Sequence, residues 1–147
     1  MLGYLSEQMT FSPYQKIRTL SEKIINSGAN SNQVATLERL IRSVSDRGTE
    51  AIFFCDCSIL FRKKGEDTLH RKMIQNAIRQ ARIIRPLSRR AYIMADIAMK
   101  ISAAGCEQIA LEVLDSAIDA ATNIRQSSLR DEVFDELGLS MRIIQEM

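Results

Sequence analysis

Two adjacent stretches of forty residues, 51–90 and 91–130, align without a gap and share ten side chains. The identical pairs are Ala51/Ala91, Asp56/Asp96, Gly65/Gly105, Ala77/Ala117, Ile78/Ile118, Ala81/Ala121, Ile84/Ile124, Arg85/Arg125, Ser88/Ser128 and Arg90/Arg130. Six more pairs exchange one apolar residue for another: Phe53/Ile93, Phe54/Met94, Phe61/Ile101, Leu69/Ile109, Met73/Val113 and Ile74/Leu114. A repeat of this length limits the fold severely. One unit cannot bury its own apolar face, so neighbouring units must stack and share a core. The period runs on into Asp131–Met147 as a half unit. Upstream, Gly28 lies 37 residues before Gly65 and marks a shorter first copy, with Ile17, Leu20, Ile24, Leu40, Ile41 and Val44 as its apolar positions. The chain of 147 residues then reads as one helical-repeat domain, 1–147. Its copies cover about 13–48, 49–88 and 89–128, with a terminal half-copy over 129–147.

Each copy reads as two helices around a glycine. In the third, Met94, Ile97, Ala98 and Ile101 fall at helical spacing, as do Ala110, Leu114, Ala117, Ile118 and Ala121. Gly105 between them suits the left-handed end of the first helix, and Glu107 suits the start of the second. Ser12-Pro13 reads as a cap followed by a first-turn proline, Thr49 and Ser127 or Ser128 as later caps, and Pro86 as a stop. The spacing predicts seven helices over about 13–27, 31–46, 49–63, 67–84, 87–103, 107–124 and 127–146, an all-α chain. Residues 51–61, "AIFFCDCSILF", are rich in β-prone side chains, but their alignment with 91–101 assigns them to a helix. Small residues at 98, 110, 117 and 121 are expected where helices of a hairpin, and neighbouring hairpins, approach closely.

In the third copy, Met94, Ile97-Ala98, Ile101, Gly105, Ala110, Leu114 and Ala117 stand at the intervals of a tetratricopeptide repeat. The fourth offers Phe134, Leu137-Gly138 and Met141; the second offers Phe54, Cys57-Ser58, Phe61, Gly65, His70, Ile74 and Ala77. Over roughly 13–147 the chain therefore resembles that family of helical-hairpin repeats. The resemblance implies a right-handed solenoid of antiparallel hairpins, about three and a half repeats long. It also implies that the first helices line a concave face that binds extended peptides or helices. That face would include Arg18, Ile25, Asn26, Cys55, Ile59, Arg62, Lys63, Tyr92, Ala95, Met99 and Ser102. This mixed apolar and basic set suits an acidic or amphipathic peptide of another protein, or is a solenoid surface with no dedicated ligand.

Little in the chain suggests catalysis. The one histidine, His70, aligns with Ala110 and has no recognisable nucleophile or acid partner, so a structural histidine is expected. Cys55 and Cys57 are two apart and point away from each other on a helix; Cys57 aligns with Ile97 and reads as core. Three cysteines and one histidine do not fall at the paired spacing of a zinc site. Phosphate-binding loops and hydrolase or metalloprotease motifs are missing. We expect no enzyme, no metal and no cofactor. The N-terminal "MLGYLSEQMTFS" lacks the pattern of a secretory signal and no stretch reaches membrane-spanning length, so a cytoplasmic protein is expected.

Charge is unevenly spread. Residues 1–61 are neutral overall, 62–90 carry ten basic and two acidic groups, and 91–147 carry a net −6. Lys72, Gln75, Arg79 and Arg82 fall on one helix stripe, and their counterparts in the next copy are the acidic stripe Glu112, Asp115 and Asp119 with Thr122. Two readings stand: ion pairing between adjacent repeats on a solvated face, or a nucleic-acid contact through the basic segment 62–90. No aromatic residue lies between Phe61 and Tyr92 to stack on bases, and the acidic neighbour would repel phosphate. The leading expectation is a protein-interaction scaffold, with an RNA- or DNA-binding repeat protein as the alternative. In the last helix, Phe134, Leu137, Met141 and Ile144 are expected to pack on the third hairpin. Leu139, Ile143 and Met147 are then left as a surface for a homodimer.

Overall fold

The computed structural model describes residues 12–28, 30–44 and 46–146; Met147 and the first eleven residues of the domain lie outside them. Among the described residues the chain is all-α, with seven helices: α1 Pro13–Ser27, α2 Ser31–Arg42, α3 Arg47–Lys63, α4 Asp67–Ala81, α5 Leu87–Ala103, α6 Glu107–Thr122 and α7 Ser127–Glu146.

The helix starts follow from capping chemistry. Ser12 accepts a hydrogen bond from the Gln15 N–H, and Pro13 occupies the first turn of α1, where no N–H is needed. The α3 helix begins two residues earlier than expected. Thr49 is not its cap: Asp46 is, accepting from both the Thr49 N–H at 2.9 Å and the Thr49 hydroxyl at 2.8 Å. Consequently α2 stops at Arg42, where the Ser43 hydroxyl turns back to the Leu40 carbonyl. At the far end of α4 the helix stops at Ala81, and Pro86 stands at the N-cap of α5. The last helix begins at Ser127 itself.

The glycines end the first helix of each hairpin. Gly28, Gly65 and Gly105 have φ of 85°, 77° and 91°, a region that costs an L side chain strain. The second and third turns match bond for bond. Gly65 donates to the Arg62 carbonyl and Glu66 to Phe61; Gly105 donates to Ser102 and Cys106 to Ile101. These are the paired bonds of a Schellman cap, and they satisfy carbonyls that the helix end leaves open.

Helices α1 and α2, α3 and α4, and α5 and α6 form hairpins, and the first helices α1, α3, α5 and α7 touch in chain order. One buried cluster runs from Ile17 to Ile144. Ala77, Ala81, Ala98, Ala110, Ala117 and Ala121 are all fully buried, so the small residues do sit where backbones approach closely. Two of the repeated pairs make one repeated contact. Arg90 Nε donates to the Ile84 carbonyl at 3.0 Å, and Arg130 Nη1 to the Ile124 carbonyl at 3.2 Å. In each case the arginine of the next first helix ties down the loop it follows.

Helix α7 corrects one expectation. It buries Val133, Leu137, Ser140 and Ile144, while Phe134 and Met141 are 36% and 37% exposed. Their counterparts Phe54, Met94, Phe61 and Ile101 are buried, each on a helix that packs against the second helix of its own hairpin. Among the described residues α7 packs chiefly on α5 and α6, so the side facing them is the covered one.

Asp46 joins copies as well as capping α3. Arg89 at the start of α5 donates to its Oδ1 at 2.6 Å, passing over Gly48, where a Cβ would lie 2.8 Å from the guanidinium. The bond from the Thr49 N–H, the Arg89 contact and the Thr49 hydroxyl hold the Asp46 carboxyl at about 2. A depressed folded pKa means that this stabilisation is complete above the unfolded value near 4 and is lost as pH falls towards 2. Asp46→Ala should cost about 0.5–2 kcal/mol at neutral pH, the usual range for a lost cap. Paired denaturant titrations of wild type and variant should show the gap shrinking between pH 4 and pH 2. A gap that is constant over that range would show that the carboxylate charge is not what matters.

Candidate binding groove along the first helices

A cleft of about 310 Å3 opens between α1 and α3, with Lys100 of α5 at its edge. Helix α1 supplies Tyr14, Ile17, Arg18 and Ser21 at three- and four-residue steps, and α3 supplies Phe53, Asp56, Cys57, Ile59, Leu60 and Lys63. The floor is closed by the contact of Ser21 Oγ with Cys57 Sγ at 3.5 Å. Tyr14 and Phe53 form an aromatic pair at one end, with ring centroids 5.9 Å apart. Cations ring the opening. Arg18 Nε pairs with Glu22 at 3.2 Å, and Lys100 Nζ pairs with Asp56 at 3.0 Å. Burial opposes the charge of Lys100, but the Asp56 carboxylate outweighs it and holds the ammonium above its ordinary value. Lys63 has no carboxylate partner among the described residues.

Of the residues read from the sequence as a groove, Arg18, Ile59 and Lys63 come together here. The rest are dispersed. Asn26 is exposed near the end of α1. Arg62 turns away and donates from Nε to the Ala104 carbonyl at 3.0 Å. Tyr92 and Met99 are half-buried against the core; partial desolvation raises the Tyr92 hydroxyl, and the acidic Glu132 and Glu136 of α7 add to that. Cys55 and Ala95 are buried and offer nothing to a ligand. Tyr14, Phe53 and Lys100 were missed. Tyr14 stands four residues before Arg18, so the helical step alone could have added it.

Half of the ten cations of the basic segment are engaged within the protein itself. Lys72 Nζ lies 3.0 Å from Glu38 of α2, in the preceding copy, rather than beside the acidic stripe of the next. Glu38 also takes Asn76 Nδ2 at 3.2 Å and Arg42 at 3.5 Å, which makes it the polar centre between α2 and α4. Arg79 Nη1 donates to Asn76 Oδ1 at 3.4 Å. Among the described residues Lys72, Arg79 and Arg82 form no ion pair with Glu112, Asp115 or Asp119, although Arg82 and Asp119 line one shallow cleft. Arg62, Arg89 and Arg90 are likewise bonded within the chain. At the other end, Leu139 and Ile143 are exposed as expected, and Phe134 and Met141 add to that surface.

One pairing was not foreseen. His70 is buried, as a structural histidine would be, but it is not alone: Cys106 Sγ lies 3.7 Å from its Nε2. Cys106 aligns with Glu66, and equivalent positions of adjacent copies lie side by side, so the repeat places Cys106 near the first turn of α4. No protein-family model, curated protein or solved structure matches the chain.

Proposed function

We propose that the protein is a cytoplasmic, non-catalytic scaffold that binds an acidic amphipathic segment of another protein along the first-helix groove. The observation that carries the reading is the α1–α3 cleft, in which Tyr14, Phe53, Ile59 and Leu60 form an apolar surface flanked by Arg18, Lys63 and Lys100. Such a surface takes the apolar anchors of a helix or extended peptide, while the cations select its acidic side. The stacking of first helices in chain order supports a right-handed tetratricopeptide-like solenoid with this face as its inner surface. No described helix is long and apolar enough to cross a membrane. Engagement of Arg62, Lys72, Arg79, Arg89 and Arg90 inside the chain argues against the nucleic-acid alternative.

The test is fluorescence anisotropy with labelled amphipathic helical peptides whose polar faces are acidic, neutral or basic. A mixed RNA and DNA oligonucleotide is run beside them at near-physiological salt. The acidic peptides should bind best, and Lys63→Glu with Arg18→Glu should weaken them by about tenfold or more. The oligonucleotide should stay in the non-specific range of about 10⁻⁴–10⁻⁶ M. Sub-micromolar oligonucleotide binding without peptide binding would replace this reading with the nucleic-acid one.

A further inference from the structure

We infer that Cys106 and His70 form a thiol–imidazole site that undergoes exchange with small amino-acid-derived disulfides in a second cleft, apart from the binding groove. His70 sits in the first turn of α4 and is only 5% exposed. Its Nδ1 lies 2.9 Å from the Ser58 carbonyl oxygen. A carbonyl can only accept, so Nδ1 carries the proton and Nε2 presents its lone pair. The atom that Nε2 faces is Cys106 Sγ. The thiol therefore has a basic acceptor for its proton, whereas Cys57 faces only the neutral Ser21 hydroxyl.

Cys106 also stands at the N-cap of α6, and its side chain makes no capping bond there. The thiolate is the nucleophilic form of cysteine, and His70 Nε2 is placed to take the proton as the sulfur attacks. Beside it opens a cleft of about 740 Å3 lined by His70, Cys106, Arg62, Arg71, Asp67 and Glu107. Two guanidinium groups and two carboxylates around one thiol fit a ligand that bears carboxylate and ammonium groups together, as a disulfide built from amino acids does. Cys55 and Cys57 have no such setting. Burial pushes Cys55 up to about 12 and Cys57 to about 11; Cys55 lies inside the helix stack, and Cys57 lies at the floor of the other groove with no basic group beside it.

The exchange balances without a further reagent. The Cys106 proton passes to His70 Nε2. The thiolate sulfur bonds to one sulfur of the incoming disulfide, and the old S–S bond breaks. The departing thiolate takes the proton from His70 Nε2 and leaves as a thiol, with a mixed disulfide left on Cys106.

The folded protein is incubated with glutathione disulfide or, separately, with neutral hydroxyethyl disulfide, and the adduct is followed by intact mass and peptide mapping. One adduct per chain should form, on Cys106, and Cys106→Ser should abolish it. His70→Ala installs the residue that the next copy carries at the equivalent Ala110, and His70→Gln keeps a polar side chain of similar size. Circular dichroism identifies which of the two is folded. Either folded variant should react about tenfold or more slowly with both disulfides. Arg71→Gln should slow glutathione disulfide and leave hydroxyethyl disulfide unchanged. Adducts on Cys55 or Cys57 first, no adduct on the folded chain, or folded His70 variants that react at the wild-type rate would overturn the site. Equal effects of Arg71→Gln on both disulfides would overturn the assignment of its ligand.

Discussion

Phe61→Ala should lower the unfolding free energy by about 3–5 kcal/mol, the range for removing a fully buried aromatic ring. The same position of the next copy is Ile101, also fully buried, and Ile101→Ala should cost about 2–5 kcal/mol. One period further on stands Met141, which is 37% exposed. Met141→Ala should cost less than about 1 kcal/mol, because most of the removed surface was already in water. The three variants share one place in the repeat and differ in whether a hairpin partner covers it. Phe61 and Ile101 stand on helices that pack against α4 and α6, and among the described residues no later helix follows α7 to pack on it in the same way. Urea titrations with unchanged slope would measure the series. Equal losses at all three positions would show that α7 is covered in solution and would remove the explanation given for its exposed Phe134.

The fold was legible in the sequence because its signals are local and recur. A positive φ is a property of one residue, so Gly28, Gly65 and Gly105 marked the hairpin turns before any contact was known. Ile84/Ile124 and Arg90/Arg130 were visible as identities, and the structure adds the reason, a repeated carbonyl–guanidinium contact. What failed depended on rotation about helix axes and on partners outside the alignment. Lys72 was matched to the copy after it, since 51–90 and 91–130 align so well, while its carboxylate is Glu38 in the shorter copy before it. Asp46 and Thr49 are three apart and each could have capped α3; only the pair of bonds to Asp46 decides between them. The groove was half legible. Arg18, Ile59 and Lys63 share a face that helical spacing can find, whereas Arg62 differs from Lys63 by one step of rotation and so points into the other cleft. The Cys106–His70 pair has no sequence motif, and it exists only because the stack sets one copy against the next.

Ala117→Leu should destabilise the protein by about 1–3 kcal/mol, although leucine is the more apolar residue and nearly as good a helix former. Ala117 is fully buried in α6, and its counterpart Ala77 in α4 is buried as completely. At both places the chain keeps a methyl group where helices press together, so three added carbons have no room and must displace a neighbour. Exposure sets the sign of the effect. Ala103→Leu, at an exposed position near the end of α5, should change stability by no more than about 0.5 kcal/mol. A leucine at 117 that left the denaturation midpoint unmoved would mean that α5 and α6 can separate without cost. In that case the alanines that recur through the repeat would not be what allows its helices to close.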